Sequence, residues 1–545
     1  MPTILKNLMP LSLRSLLLAF TTVLMLPVAL ILAAWWPWGE GASQAWALLA
    51  EMAVTVLPDY SATSLGLCVL VAAGVVAVGV PAAVLVTLFE FKGRDFFTWA
   101  LLLPLAMPAY VVAYGYTDFL QFSGPLQTLM RELTGAQGRV FPEVRNVWGA
   151  AWVMTFSLYP YVYLLTRTAL RERAAHLMEA ARLLGAPLMR RLLDVALPLA
   201  RPAVAAGVAL ALMETLADYG VSSYFGIQTF TAGIYKAWLA MDNRLAAAQL
   251  AAILLLVVLV LLALERRAQA RMRFASRGER AGSQEAKAVT LRGPAAMLAW
   301  VLCAMPLLMG FVLPVLFMLR PLWATTVDWP WDRFVGWSLN SLRLGLITAL
   351  IALLLAVMLS FLQRRHPDGV SRAVVGLAAV GYAVPGAVVV VGLLLPVGWL
   401  QAIWPQSSAG FWITATSLGL VWAYLVRFCG VALQSVQSGY ARIPLSLDES
   451  ARMMGAGHGR LLREVHAPLL KGPAVAAALL VFVDVMKELP ATLVLRPFNS
   501  DTLAVVAYQL ARDERLGEAA LPALALVLVG LIPVVMLSRT LRDKT

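Results

Sequence analysis

Charge is scarce in this chain of 545 residues: Asp, Glu, Lys and Arg make up 13% of it. A soluble globular protein carries about 25% charged residues, so an ordinary water-soluble enzyme is excluded. Cysteine is rarer still. Cys68, Cys303 and Cys429 each lie in an apolar run, far apart in sequence, which argues against a disulfide framework and a paired-cysteine metal site. The four histidines, His176, His366, His458 and His466, fall in basic polar segments, so no histidine cage within a membrane is expected. The phosphate-binding pattern G-x-x-x-x-G-K-[ST] is absent, and ATP hydrolysis by that route is excluded. No nucleophile–base pair stands out in the apolar runs, which disfavours a membrane-embedded enzyme.

What is present is apolar. Hydrophobic residues make up 61%, and mean hydropathy is +0.79. At about 20 apolar residues per crossing of a hydrocarbon core, the chain has room for a dozen spans and no large extramembrane domain. Runs of that length are predicted at 16–34, 65–88, 100–121, 147–170, 200–222, 245–264, 296–319, 342–362, 374–399, 412–434, 473–493 and 521–538. The first is too long for a cleaved signal core, and Trp35, Trp36 and Trp38 behind it read as an interfacial belt. The fold class is therefore all-α integral membrane protein.

The net charge of +13 is a topology signal. Most basic residues, Arg171, Arg190, Arg271, Arg364 and Arg427 among them, fall where an inside N-terminus puts cytoplasmic connections or their flanks, whereas 35–64 holds Glu40, Glu51 and Asp59 and no basic residue. Cytoplasmic connections are enriched in Lys and Arg. Both termini are expected inside; anionic lipid is an expected partner and nucleic acid is not. The polar, basic stretch 265–294 splits the spans six and six, giving a first repeat at 1–264 and a second at 295–545.

A motif occurs once in each half. Glu179-Ala180-Ala181 is followed by Gly185 and then by Val195-Ala-Leu197-Pro198; Glu449-Ser450-Ala451 is followed by Gly455 and then by Val465-His-Ala467-Pro468. Glu179 and Glu449, Gly185 and Gly455, and Pro198 and Pro468 are each 270 positions apart, as an internal duplication requires. Glu-Ala-Ala favours a helix, Gly allows a turn and Pro marks a break before the next span.

The pattern E-A-A-x3-G-x9-(I/V)-x-L-P resembles the cytoplasmic coupling loop of the permease subunits of ATP-binding-cassette (ABC) importers. That resemblance implies a type I importer permease of about twelve helices in two tandem six-helix repeats, set in the bacterial inner membrane. It also implies loops that dock into two copies of a separate ATPase subunit, no cofactor on this chain, and ATP used by the partners. Glu179, Ala180, Ala181, Gly185, Leu197, Pro198, Glu449, Ser450, Ala451, Gly455 and Pro468 are its coupling residues. The strings Leu103–Gln121, Ala217–Tyr235 and Val485–Arg496 look like the fused permeases of ferric iron importers that depend on a periplasmic binding protein. Fused permeases for thiamine, polyamines and phosphonates share the frame, and secondary transporters also show six-plus-six repeats.

Acids inside spans are the remaining signal. Glu214 and Asp218, and 270 positions on Asp484 and Glu488, sit four residues apart, the spacing that shares a helix face. Membrane acids cost free energy and mark pathways or partners. Four oxygen donors suit a hard cation, so a translocation path is one reading, and neutralisation of Asp484 or Glu488 by Lys487 the other. Asp118 with Tyr110, Tyr114 and Tyr116 is a second oxygen-rich stretch, read as a path or as a tyrosine belt. No stable metal site is expected. The segments Asp242-Asn243-Arg244 and Arg512–Arg515 are open between lobe contacts and loop capping.

Overall fold

The computed structural model describes residues 2–33, 41–171, 175–276, 289–323 and 330–542. Among the described residues eight helices are long and apolar enough to cross a membrane unbroken: Leu57–Leu88, Leu188–Ala217, Arg244–Ala270, Pro294–Leu322, Trp331–Arg365, Gly386–Ile403, Ser417–Tyr440 and Leu516–Met536; two bent pairs raise the number to ten. The expected spans 16–34, through residue 33, and 147–170 are also helical, in Pro2–Ala33 and Val147–Ala169. The Trp35, Trp36 and Trp38 belt lies outside the described residues.

Breaks follow local chemistry. The run 100–121 is not one helix: Pro104 and Pro108 remove backbone donors, and a short turn at Leu103–Ala106 separates Arg94–Ala100 from Ala109–Leu120. A few starts are capped by side chains. The Asn146 side chain accepts from the Gly149 N–H at 2.9 Å, and that of Asp368 from the Ser371 N–H at 2.8 Å.

The chain forms two compact units that do not coincide with the sequence halves. Unit one comprises Met1–Leu49, Ile234–Ala252 and Pro330–Val506. Its centre is the mutual packing of Trp331–Arg365, Ser417–Tyr440 and Lys471–Lys487, and the opening helix Pro2–Ala33 packs on Gly386–Ile403. Trp422 Nε1 donates to the Leu24 carbonyl at 3.1 Å. Unit two comprises Ala50–Gly233, Ile253–Trp329 and Ala507–Thr545. There Leu57–Leu88, Val147–Ala169 and Leu197–Ala217 form the centre, and Leu313–Leu322 and Leu516–Arg542 pack on each other and on the segment 103–120. Each half of the sequence thus contributes its opening helix to the unit built mainly from the other half.

Helices approach closely where a side chain is missing, the rule in membranes. A Cβ on Gly207 would stand 2.7 Å from Val162 Cα, and one on Gly439 2.7 Å from Pro473 Cγ. The expected linker 265–294 differs in part from expectation. Helix Arg244–Ser276 carries through its first residues, Val289–Thr290 pairs in parallel with Phe89–Glu90, and 277–288 lie outside the described residues.

Candidate coupling loops and buried carboxylates

The repeated motif builds the same backbone twice. In unit two, helix Ala175–Leu183 ends at Gly185 with φ +79°; the Ala186 N–H donates to the Ala181 carbonyl and the Gly185 N–H to that of Arg182, both at 3.0 Å. In unit one, helix Leu445–Met453 ends at Gly455 with φ +81°; the Ala456 N–H donates to Ala451 at 3.0 Å and the Gly455 N–H to Arg452 at 2.9 Å. This pair of bonds is the Schellman stop, whose left-handed position favours Gly. The motif is therefore a helix, its C-terminal stop and a second helix.

The second helix opens at Leu188–Arg190 in one copy and His458–Arg460 in the other, and continues through a π turn, Arg191–Ala196 and Leu461–His466. Leu197 and Pro198 open the helix after the first of these turns. Pro468 lies in Ala467–Leu469, after which the chain bends by 77° into Lys471–Lys487. Glu179 makes an exposed pair with Arg182, at 3.7 Å. Ala180, Glu449 and Ser450 are exposed, whereas Ala451 is buried.

The tips of the two turns are apolar and bare. Leu183 is 82% exposed, Leu184 88%, Met453 89% and Met454 80%. These pairs occupy the same motif positions, 270 apart.

The intramembrane acids depart from the helix-face expectation. The helices end at Ala217 and Lys487, so Asp218 and Glu488 are extended residues just past them, with ψ 132° and 121°. Each turns its carboxylate onto the next short helix. Asp218 Oδ2 accepts from the N–H groups of Val221 at 3.1 Å and Ser222 at 3.0 Å. Glu488 Oε1 accepts from Ala491 N–H at 2.8 Å, and Oε2 from Thr492 N–H at 2.9 Å. Glu488 also meets Arg427 Nη1 at 2.8 Å. Arg427 is thus a core residue of Ser417–Tyr440, correcting its place among the cytoplasmic flanks. A lone Arg within an apolar run was the available signal, because a buried charge must be paired. Glu214 and Asp484 stay within their helices, partly buried.

Asp118 pairs with Arg320 at 2.8 Å, and Tyr116 donates to the Met309 carbonyl at 2.7 Å. Tyr114 is buried edge-on against Tyr224, 4.8 Å between centroids, and its hydroxyl has no hydrogen-bond partner among the described residues. Tyr114 and Asp118 line one small cavity with Met318 and Ala523. In the outer segments Asn243 caps helix Arg244–Ser276 through Ala246 N–H at 3.0 Å, while Glu514 pairs with Arg145 at 2.6 Å. Both are loop-capping and loop-fastening contacts. No group of three or more potential metal ligands occurs among the described His, Cys, Asp and Glu residues.

Comparison with known proteins gives one family. Residues 75–274 and 350–541 each match the binding-protein-dependent transport system inner membrane component. The Fe(3+)-transport system permease protein FbpB 2 of Haemophilus influenzae is 23% identical over 87% of this chain and 88% of its own length. The probable ABC transporter permease protein y4fN of Sinorhizobium fredii is 26% identical over 83% and 82%. A putative 2-aminoethylphosphonate transport system permease protein, PhnV of Salmonella typhimurium, is 27% identical over 38% and 74%. The two family matches span the paired loops and most of the sequence, and the chain belongs to the binding-protein-dependent inner membrane components, the transport permeases of ABC importers.

Proposed function

We propose that this chain is the two-repeat permease of an ATP-driven importer for ferric iron. Two copies of a separate ATPase subunit seat on its two loops, and a periplasmic binding protein delivers the cargo. The observation that carries the docking role is the duplicated loop with its exposed Leu183–Leu184 and Met453–Met454 tips. A burial-driven contact needs such surface, and the helix stop behind each tip holds it out from the bundle. Support for iron comes from the relative of Haemophilus influenzae, whose name carries Fe(3+) and whose match runs nearly end to end; the phosphonate relative matches 38% of the chain.

In this reading both termini are cytoplasmic, in the bacterial inner membrane. ATP closing the partner subunits beneath the loops rocks the helices about them, a rigid-body change of access. Glu214, Asp218 and Asp484, with Tyr114, are assigned to the path. Asp118 and Glu488 already hold arginine partners and act as supports. The deciding experiment is reconstitution in proteoliposomes with ATPase and binding protein. ATP-dependent accumulation of ferric iron, and not of 2-aminoethylphosphonate or molybdate, is the expected result. Uptake driven by an ion gradient without ATP overturns the importer mechanism in favour of a secondary transporter.

A further inference from the structure

The two loops share a backbone and differ in what fastens them. In unit two Met178, on the loop helix, is buried with Leu170, Ala196 and Ala200, with Val84, Leu88 and Leu192 packed around them. The residues 270 positions on are Tyr440, Asp448, His466 and Leu470. Three of four apolar anchor positions are thus polar in the second copy, and all three are buried.

Their bonds form one connected set within unit one. Arg364, at the end of helix Trp331–Arg365, grips Asp448 in bidentate fashion, Nε to Oδ2 at 2.8 Å and Nη2 to Oδ1 at 3.0 Å. The same guanidinium donates to the carbonyls of Tyr440, Ile443 and Pro444 at 3.3, 3.0 and 3.1 Å, the backbone that leads into the loop. His466, fully buried in the π turn that leaves the loop, places Nε2 3.0 Å from Asp448 Oδ1 and Nδ1 3.3 Å from the Tyr440 hydroxyl. Asp448 therefore ties together the loop helix, the chain leading into it and the chain leaving it.

The physical contrast is direction. Apolar burial is non-directional and lets a helix shift by small amounts at little cost. A bidentate guanidinium–carboxylate pair fixes orientation as well as distance.

We propose that Arg364, Asp448 and His466 are positioning residues that hold the second coupling loop in one orientation, so that the two loops transmit motion unequally: the first through an adaptable apolar seat, the second through a rigid ionic clamp. The proposal rests on the reading that both loops dock ATPase subunits.

The test uses the full-length permease with Leu183→Cys or Met453→Cys as a cross-linking point; the three native cysteines are buried. Purified ATPase subunit is cross-linked to each, and iron transported per ATP hydrolysed is measured in proteoliposomes. With Asp448→Asn, cross-linking through position 453 and the transport ratio should each fall about tenfold, the scale of losing a charge-assisted hydrogen bond, while cross-linking through position 183 stays at the wild-type level. A fourfold graft, Arg364→Leu with Tyr440→Leu, Asp448→Met and His466→Ala, guards against misfolding. It removes every charge of the clamp together and gives positions 440, 448 and 466 the first copy's Leu170, Met178 and Ala196. The graft should recover wild-type thermal stability while the transport ratio stays low. Folded Asp448→Asn with wild-type cross-linking at both positions, or a graft that restores the transport ratio, overturns the clamp. Failure of both tips to cross-link in the otherwise wild-type protein overturns the docking reading itself.

Discussion

Arg427 and Glu488 form an ion pair sealed inside unit one, 2.8 Å apart, with side chains 12% and 1% exposed. The counterpart of Arg427 in the first half is Ser157, and that of Glu488 is Asp218. The repeat thus kept the acid at the helix break and placed a cation for it in one copy only. The capping role needs the acid's oxygens and not an arginine, so it is common to both halves while the Arg427 pair belongs to the second.

Arg427→Met should be among the most destabilising single changes in the chain. It leaves the Glu488 carboxylate buried with its backbone donors but no counter-charge, a loss of about 3–5 kcal/mol for a broken buried pair. Thermal unfolding in detergent checks it, and a melting temperature equal to wild type would show that the pair is not buried as described.

Amide replacements sort the intramembrane acids. Glu214→Gln, Asp218→Asn and Asp484→Asn should lower iron uptake while leaving the melting temperature near wild type, because the amides keep side-chain shape and an acceptor oxygen while removing the charge. Glu488→Gln should do the reverse, weakening the fold through Arg427 ahead of transport. Wild-type uptake in the first three retires their path assignment.

Charge reversal at the loops separates docking from folding. The Glu179–Arg182 pair is exposed at 43% and 54%, where such pairs contribute at most about 1 kcal/mol. Glu179→Arg and Glu449→Arg should therefore leave the protein inserted and stable while uncoupling uptake from ATP hydrolysis. Normal uptake in the double variant at unchanged protein level would sink the coupling role.

The two turn glycines should respond alike to substitution. Nothing lies within 4 Å of a Cβ built on Gly185 or Gly455, so the whole cost of Gly→Ala is the left-handed backbone, about 1–2 kcal/mol. That cost is local, and it should appear as faster proteolysis at residues 180–190 or 450–460 before any fall in overall melting temperature. Asn at either site should be milder, since it tolerates that conformation better.

Asp448 sets the pH behaviour of the second loop. Burial alone would raise its pKa, but hydrogen bonds from Arg364 and His466 and their charges outweigh it and hold the carboxyl below its ordinary range. A depressed carboxyl adds stability above its unfolded pKa of about 3.9 and loses it as pH falls through the folded value. The stability that the Asp448 carboxylate adds over Asp448→Asn should hence be lost as pH falls below about 4. A difference that vanishes near neutral pH would contradict the bonding around Asp448.

Legibility from sequence tracked the range of the interaction. Apolar runs fixed the membrane class and the helical fold, since a span must satisfy its own backbone bonds wherever it lies. The loop motif was legible for the same reason: its bonds run over three to five residues, so Ala181 and Gly185, or Ala451 and Gly455, already contain the turn. Partners were not legible. The residue that answers Glu488 lies 61 positions away, and the nearer Lys487 was the sequence's own candidate. His466, expected in a polar basic segment, is fully buried because Asp448 and Tyr440 give its ring nitrogens partners. The opening helix Pro2–Ala33 packs on Gly386–Ile403, although nothing in an apolar run says which other run it meets. Local hydrogen bonding and hydropathy determined the elements and the two loops; packing between distant segments decided the units, the break-capping acids and the clamp, because those energies exist only once the chain has brought the residues together.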